Sequence, residues 1–181
     1  MNQKQIQAKK AKEVRLTLTT NYDDIIGKSD CGGLYVFTTN ITFHCNPNRN
    51  QGYLFKVGRA RGLKNRFYQY HLSYIEGIHT CAIMRTEEFI KGEKLLFKFL
   101  ANYEGITRVN LVSPIRTRIK EQGEWWSSSW EIMQQAIYDF WEANRELFPL
   151  KFARQDMRQS PYRGLVLFDL KKDKYRCLPI R

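Results

Sequence analysis

The chain has 181 residues, enough for one domain with a sizeable core and short for two independent ones. Its 43% hydrophobic and 14% aromatic content excludes a disordered chain, because that much apolar surface can offset the entropy of folding. The formal net charge of +12, from 30 Lys and Arg against 18 Asp and Glu, suits a polyanion such as DNA or RNA, where each phosphate contact releases counterions.

The basic charge sits mainly at the two ends. Residues 1–15 carry five bases and one acid, residues 151–181 nine and three, and the middle sixteen and fourteen. The expected division is a basic tail over 1–15, one domain over 16–150 and a basic extension over 151–181. No apolar stretch approaches the roughly 20 residues that span a bilayer, and the N-terminus lacks a signal peptide's apolar run. The expectation is a soluble, intracellular protein with no membrane partner. Cys31, Cys45, Cys81 and Cys177 form no CxxC, so reduced cysteines are expected. His44 beside Cys45, and His79 two before Cys81, have metal-donor chemistry without metal-site spacing.

In chain order, residues 1–14 read as a polar tail. GGLYVFTT is short, aromatic and β-branched, and predicts a strand. ITFHCNPNRNQG reads as a loop or the distal part of a hairpin. YLFKVG predicts a second, antiparallel strand, with Tyr53, Phe55 and Val57 on one side and Leu54, Lys56 and Gly58 on the other. A helix follows over about residues 62–75, its apolar stripe formed by Leu63, Phe67, Tyr70 and Tyr74. HTCAIMR is a candidate third strand, and Thr86 is placed to cap a helix through FIKGEKLLFKFLANY. RVNLVSP reads as a polar loop, followed by GEWW. Ser127, Ser128 and Ser129 precede a last helix that reaches residue 147 and turns Trp130, Met133, Ile137, Phe140 and Leu147 to one face. Beyond Pro149, RGLVLFDLKKDKYRCLPI reads as two short strands around a Lys/Asp turn. The expected fold is α+β, an α/β sandwich in which a small, mainly antiparallel three-stranded sheet is flanked by helices.

Several residues break these patterns. Glu93 falls between Leu100 and Phe97 in the helical stripe, where an ionised carboxylate is costly unless compensated. It is either a rim residue paired with an Arg or Lys, or a carboxylate aimed into a cleft to hold a divalent metal. Arg66 and Tyr70 are four apart and share a helix face, with His71 turned away. Tyr35 and Lys56 both fall where the two strands approach that helix. From Phe55 to His71 there are five bases and no acid.

The order and spacing of these motifs resemble the GIY-YIG nuclease superfamily over about residues 32–140. Gly33-Leu34-Tyr35 matches its first signature. Lys56-Val57-Gly58 matches the second, with Leu63 at an aliphatic position, Arg66 eight residues after the glycine and Glu93 downstream. Lys56-Val57-Gly58 and Glu124-Trp125-Trp126 look most like the T5orf172 or MUG113 branch of phages, large DNA viruses and some cellular genomes. The chain departs from the family pattern in three places. Lys56 replaces the second tyrosine, the stretch between signatures is long, and Tyr70 stands where many members have histidine. The late family asparagine has no secure match, with Asn110 a candidate and Asn102 a poorer one.

The resemblance implies a DNA endonuclease that hydrolyses phosphodiester bonds by in-line attack of an activated water. Glu93 would bind one Mg²⁺ or Mn²⁺, and Tyr35 would help deprotonate the water, assisted by Lys56 or Tyr70. Arg66 would hold the phosphate. Arg59, Arg61, Lys64 and His71 would line the nucleic-acid path. The alternatives are a GIY-YIG-like domain serving as a nucleic-acid-binding or virion component, and an adaptor for an acidic protein. The resemblance is compatible with a location in a host cytoplasm, a nucleus or a virion, with RNA as substrate, and with a transient dimer for double-strand cutting.

Overall fold

The computed structural model describes residues 26, 30–39, 52–74, 78–111, 122–148, 164–169 and 174–178. The basic tail, most of the loop after the first strand, and His44 and Cys45 lie outside them.

The described elements run β1 (Gly33–Thr39), β2 (Tyr53–Ala60), α1 (Leu63–Ser73), β3 (Ile78–Arg85), α2 (Phe89–Ala101), β4 (Thr107–Leu111), β5 (Gln122–Ser128), α3 (Trp130–Ala143), a 3₁₀ turn (Arg145–Leu147), β6 (Leu165–Asp169) and β7 (Lys174–Leu178). The fold is α+β, but the sheet has seven strands rather than three, in the order β4-β5-β2-β1-β3-β6-β7. Every paired neighbour is antiparallel.

The added strands have physical causes. RVNLVSP looked like a loop because Arg108 and Asn110 interrupt its apolar residues, yet β4 finds backbone partners in β5, with Arg108 opposite Trp126 and Val109 opposite Trp125. At the other end, Leu165, Val166 and Leu167 are buried as β6 pairs with β3. The strands β6 and β7 of the C-terminal segment therefore extend the same sheet.

The pleat divides the core in two. On one face Tyr35, Phe37, Ala60 and Ile83 meet Leu63 and Phe67 of α1. On the other, Leu34, Val36, Phe55 and Val57 pack under α2 and α3 with Leu96, Leu100, Met133 and Phe140. Two-residue alternation sends neighbouring residues of β1 and β2 to opposite faces, as expected for β2. Gly92 breaks α2's helical propensity for a packing reason, since a β-carbon there would come 3.2 Å from Leu34. Its absence lets α2 lie close on β1 and brings Glu93 within reach of β2.

Helix ends differ in detail from expectation. Ser129 caps α3, its Oγ accepting from the Ile132 N–H at 3.2 Å, while Ser127 and Ser128 belong to β5. Thr86 does not cap the first turn of α2 itself. Its Oγ1 accepts from the Glu88 N–H at 3.1 Å and donates to the Leu147 carbonyl, tying the 3₁₀ turn to the β3–α2 junction.

Candidate active site

Four of the expected site residues converge on the α1 face. Tyr35 of β1 and Tyr70 of α1 join their hydroxyls at 2.6 Å, with ring centroids 5.6 Å apart. Lys56 Nζ lies 5.3 Å from the Tyr70 ring centroid and 5.6 Å from that of Trp125. The Arg66 guanidinium lies 5.7 Å from the same Tyr70 ring, one helical turn before it. Two cations therefore face one phenol, which a second phenol holds by a hydrogen bond.

The backbone sets this arrangement. Tyr35 is directly across from Gly58 in the β1–β2 ladder. A β-carbon at Gly58 would come 2.6 Å from Tyr35 Oη, so only glycine lets the phenol lie across β2 towards Tyr70. Tyr35 is 3% exposed, and burial, the Tyr70 hydrogen bond, and the Tyr70 and Glu124 charges push its pKa far up against a small opposing effect of Arg66. Tyr35 therefore keeps its proton at neutral pH and is suited to donate a hydrogen bond, not to act alone as a base.

Glu93 arrives from the other face. Its carboxylate meets the Arg59 guanidinium at 2.8 Å, with side-chain exposures of 19% for Glu93 and 38% for Arg59. Burial raises its pKa, the Arg59 charge and backbone N–H lower it, and the Glu124 charge raises it. Glu93 thus occupies the rim position and takes the partner that the stripe demanded. Arg59, expected along flanking phosphates, is the counter-cation of Glu93 in this structure.

Glu124 connects the two groups, although in the sequence it stood only as part of the GEWW motif. It pairs with Lys56 at 3.3 Å, and its charge acts on Tyr35, Tyr74 and Glu93. The β2–β5 ladder runs from Tyr53 opposite Ser128 to Lys56 opposite Trp125, which places Glu124 beside the strand just before Gly58 and Arg59. The GEWW motif was the available signal for it.

Asp30 was missed altogether. Its carboxylate accepts from the N–H groups of Lys64 at 2.9 Å and Asn65 at 3.4 Å, capping α1 from outside the helix because Gly62 has no side chain to do so. The α1 N-terminus is thus already satisfied by a carboxylate.

The remaining residues are spread more widely. Arg61 is exposed and Lys64 half-buried at the start of α1. His71 is half-buried, and burial lowers its pKa, which favours the neutral ring. Asn102 closes α2, its amide donating to the Lys98 carbonyl at 2.8 Å, so it stands at a helix end. Asn110 falls in β4, with its side chain outside the described residues. His79 is exposed, and Cys81 is fully buried with its pKa raised by that burial. No helix among the described residues is long and apolar enough to cross a membrane.

Among the described residues no three His, Cys, Asp or Glu side chains gather as a metal cluster. The donor available is the Glu93 carboxylate, here paired with Arg59. This oxygen donor fits Mg²⁺ or Mn²⁺, which Mg²⁺-type sites hold through one or two carboxylates with water and substrate phosphate completing the shell. No family model, curated protein or solved structure matches the chain.

Proposed function

We propose that the protein is a metal-dependent endonuclease of the GIY-YIG type that hydrolyses phosphodiester bonds in DNA. The observation that carries this reading is the Tyr35–Tyr70 hydrogen bond with Lys56 and Arg66 facing the Tyr70 ring. A phosphodiester needs cations for its equatorial oxygens and a proton acceptor for the attacking water. This constellation supplies both.

The proton bookkeeping assigns distinct roles to the two phenols. Tyr35 keeps its proton and donates to Tyr70 Oη, so Tyr70 is the acceptor: its own proton leaves to solvent first, and the phenolate then takes the proton of the attacking water and returns to the neutral phenol. Lys56 and Arg66 offset the charge of that phenolate, and Arg66 is also placed to bind a phosphate oxygen. Glu93 would hold the Mg²⁺ or Mn²⁺. When bound, that ion would supply Lewis-acid stabilisation of the phosphate and the departing 3′ oxygen.

A second reading has its own support in the Arg59–Glu93 ion pair, which already neutralises the carboxylate. On that reading the domain binds nucleic acid without cutting it. A labelled duplex incubated with Mg²⁺ or Mn²⁺ separates the two. The nuclease yields 5′-phosphate and 3′-hydroxyl ends, and Tyr70→Phe abolishes them. Retention without products, equal in wild type and Tyr70→Phe, supports the binding domain.

A further inference from the structure

We propose that the flank of α1 carrying Tyr68 and Leu72 is a stacking surface for an unpaired nucleotide of the bound strand. This rests on the nucleic-acid reading above and goes beyond it in naming the substrate form.

Tyr68 and Leu72 are 64% and 67% exposed, the highest values among the exposed large hydrophobic side chains of the described residues. They stand four apart, so they adjoin on one helix flank, and Lys64 extends the same row one turn earlier. Arg61 stands exposed just before the helix. The opposite side of α1 is satisfied by the core through Leu63 and Phe67. An ordinary solvated flank would carry polar side chains here, whereas this one pairs an aromatic ring and an aliphatic side chain with two bases. No acid lies between Phe55 and His71 in sequence, and the Asp30 carboxylate at the helix start is engaged by backbone N–H groups, so the charge around the flank favours a polyanion over an acidic or neutral peptide.

A phenol face beside phosphate-binding cations matches the chemistry of single-strand binding, in which bases stack on aromatic side chains while Lys and Arg follow the backbone. A duplex keeps its base faces stacked on each other and cannot offer one to Tyr68. Arg66 and Tyr70 lie on the other flank of α1, about half a turn from the Lys64–Tyr68–Leu72 row by helical periodicity, so a strand that touches both passes round the exposed side of the helix.

The test is fluorescence anisotropy with a labelled oligothymidine and a blunt duplex of equal length, in chelator, using wild type, Tyr68→Ala, Leu72→Ala and Tyr68→Phe. Because the side chains are exposed, thermal unfolding serves as the control that the variants fold. The expected result is about tenfold weaker single-strand binding for Tyr68→Ala, near-normal duplex binding, an unchanged salt slope, and recovery with Tyr68→Phe. Equal losses on both substrates, or no loss on either, overturn the proposal. So does failure of the wild type to bind any oligonucleotide. A dimer that Tyr68→Ala or Leu72→Ala converts to monomer with unchanged DNA binding also overturns it, and assigns the flank to a second copy. Cleavage by the wild type with no Tyr68 effect on binding leaves the nuclease reading standing alone. Strand-selective loss without any cleavage leaves only the stacking surface.

Discussion

Tyr35 lies across Gly58, its Oη only 2.6 Å from where a β-carbon on that glycine would be. The contact ties the first sequence signature to the second and directs the phenol at Tyr70. Gly58→Ala must push the ring aside, and an overpacked site of this kind is expected to lose about 1–3 kcal/mol. Tyr35→Ala removes the obstruction. A denaturation double-mutant cycle should show the pair to be non-additive by about 1 kcal/mol or more. Simple additivity would mean that the glycine serves some other purpose.

Glu93 is a place where stability and the proposed chemistry diverge. Burial raises its folded-state pKa above the ordinary 4.5, so the folded protein holds that proton more tightly than the unfolded chain. The associated stability is present below the unfolded value and is lost as pH rises through the folded one. Glu93→Gln, which cannot ionise, should therefore melt at a higher temperature than wild type at pH 8. Scanning melts downwards in pH should show that advantage disappearing near pH 4, while nuclease activity is absent throughout.

Lys56 has a modest structural role and a large proposed catalytic one. Its ion pair is to a half-exposed carboxylate, and such pairs contribute about 0–1 kcal/mol. Lys56→Met keeps the packed stem and should cost no more than about 1 kcal/mol in urea unfolding. Its kcat should fall by about 100-fold or more, because the charge beside Tyr70 is gone.

Arg59 competes for the carboxylate that the metal would use. Removing the guanidinium with Arg59→Gln should tighten Mn²⁺ binding by about tenfold, on the scale of one favourable charge contact. Electron paramagnetic resonance of free Mn²⁺ during titration measures this without reference to activity. An unchanged or weaker affinity would place the ion away from Glu93.

Local pattern made part of this structure readable. The alternation in YLFKVG placed Lys56 and Gly58 on the α1 face, and the four-residue spacing of Arg66 and Tyr70 put them on one ring. Glu93 was visible as a carboxylate in an apolar stripe. Its choice of Arg59 was not, because that contact depends on how closely α2 lies on β1 over Gly92. Nor was the sheet's extent. β4 read as a polar loop because its strand character comes from its ladder to β5, and β6 and β7, legible as two short strands, join the sheet through a ladder to β3 that no short window contains. Asp30 escaped notice for the same reason, since it caps a helix that starts 33 residues later.

The central claim is that Tyr70, Lys56, Arg66 and Glu93 together hydrolyse a phosphodiester. Its most direct test is nicking of supercoiled plasmid by the purified protein with Mg²⁺ or Mn²⁺ and with chelator, beside Glu93→Gln and Arg66→Ala. Metal-dependent nicking by the wild type, lost in both variants and in chelator, is the predicted result. Plasmid that stays supercoiled while binding to the protein, with retention unchanged by Glu93→Gln, would contradict the claim and leave a domain that binds nucleic acid without cutting it.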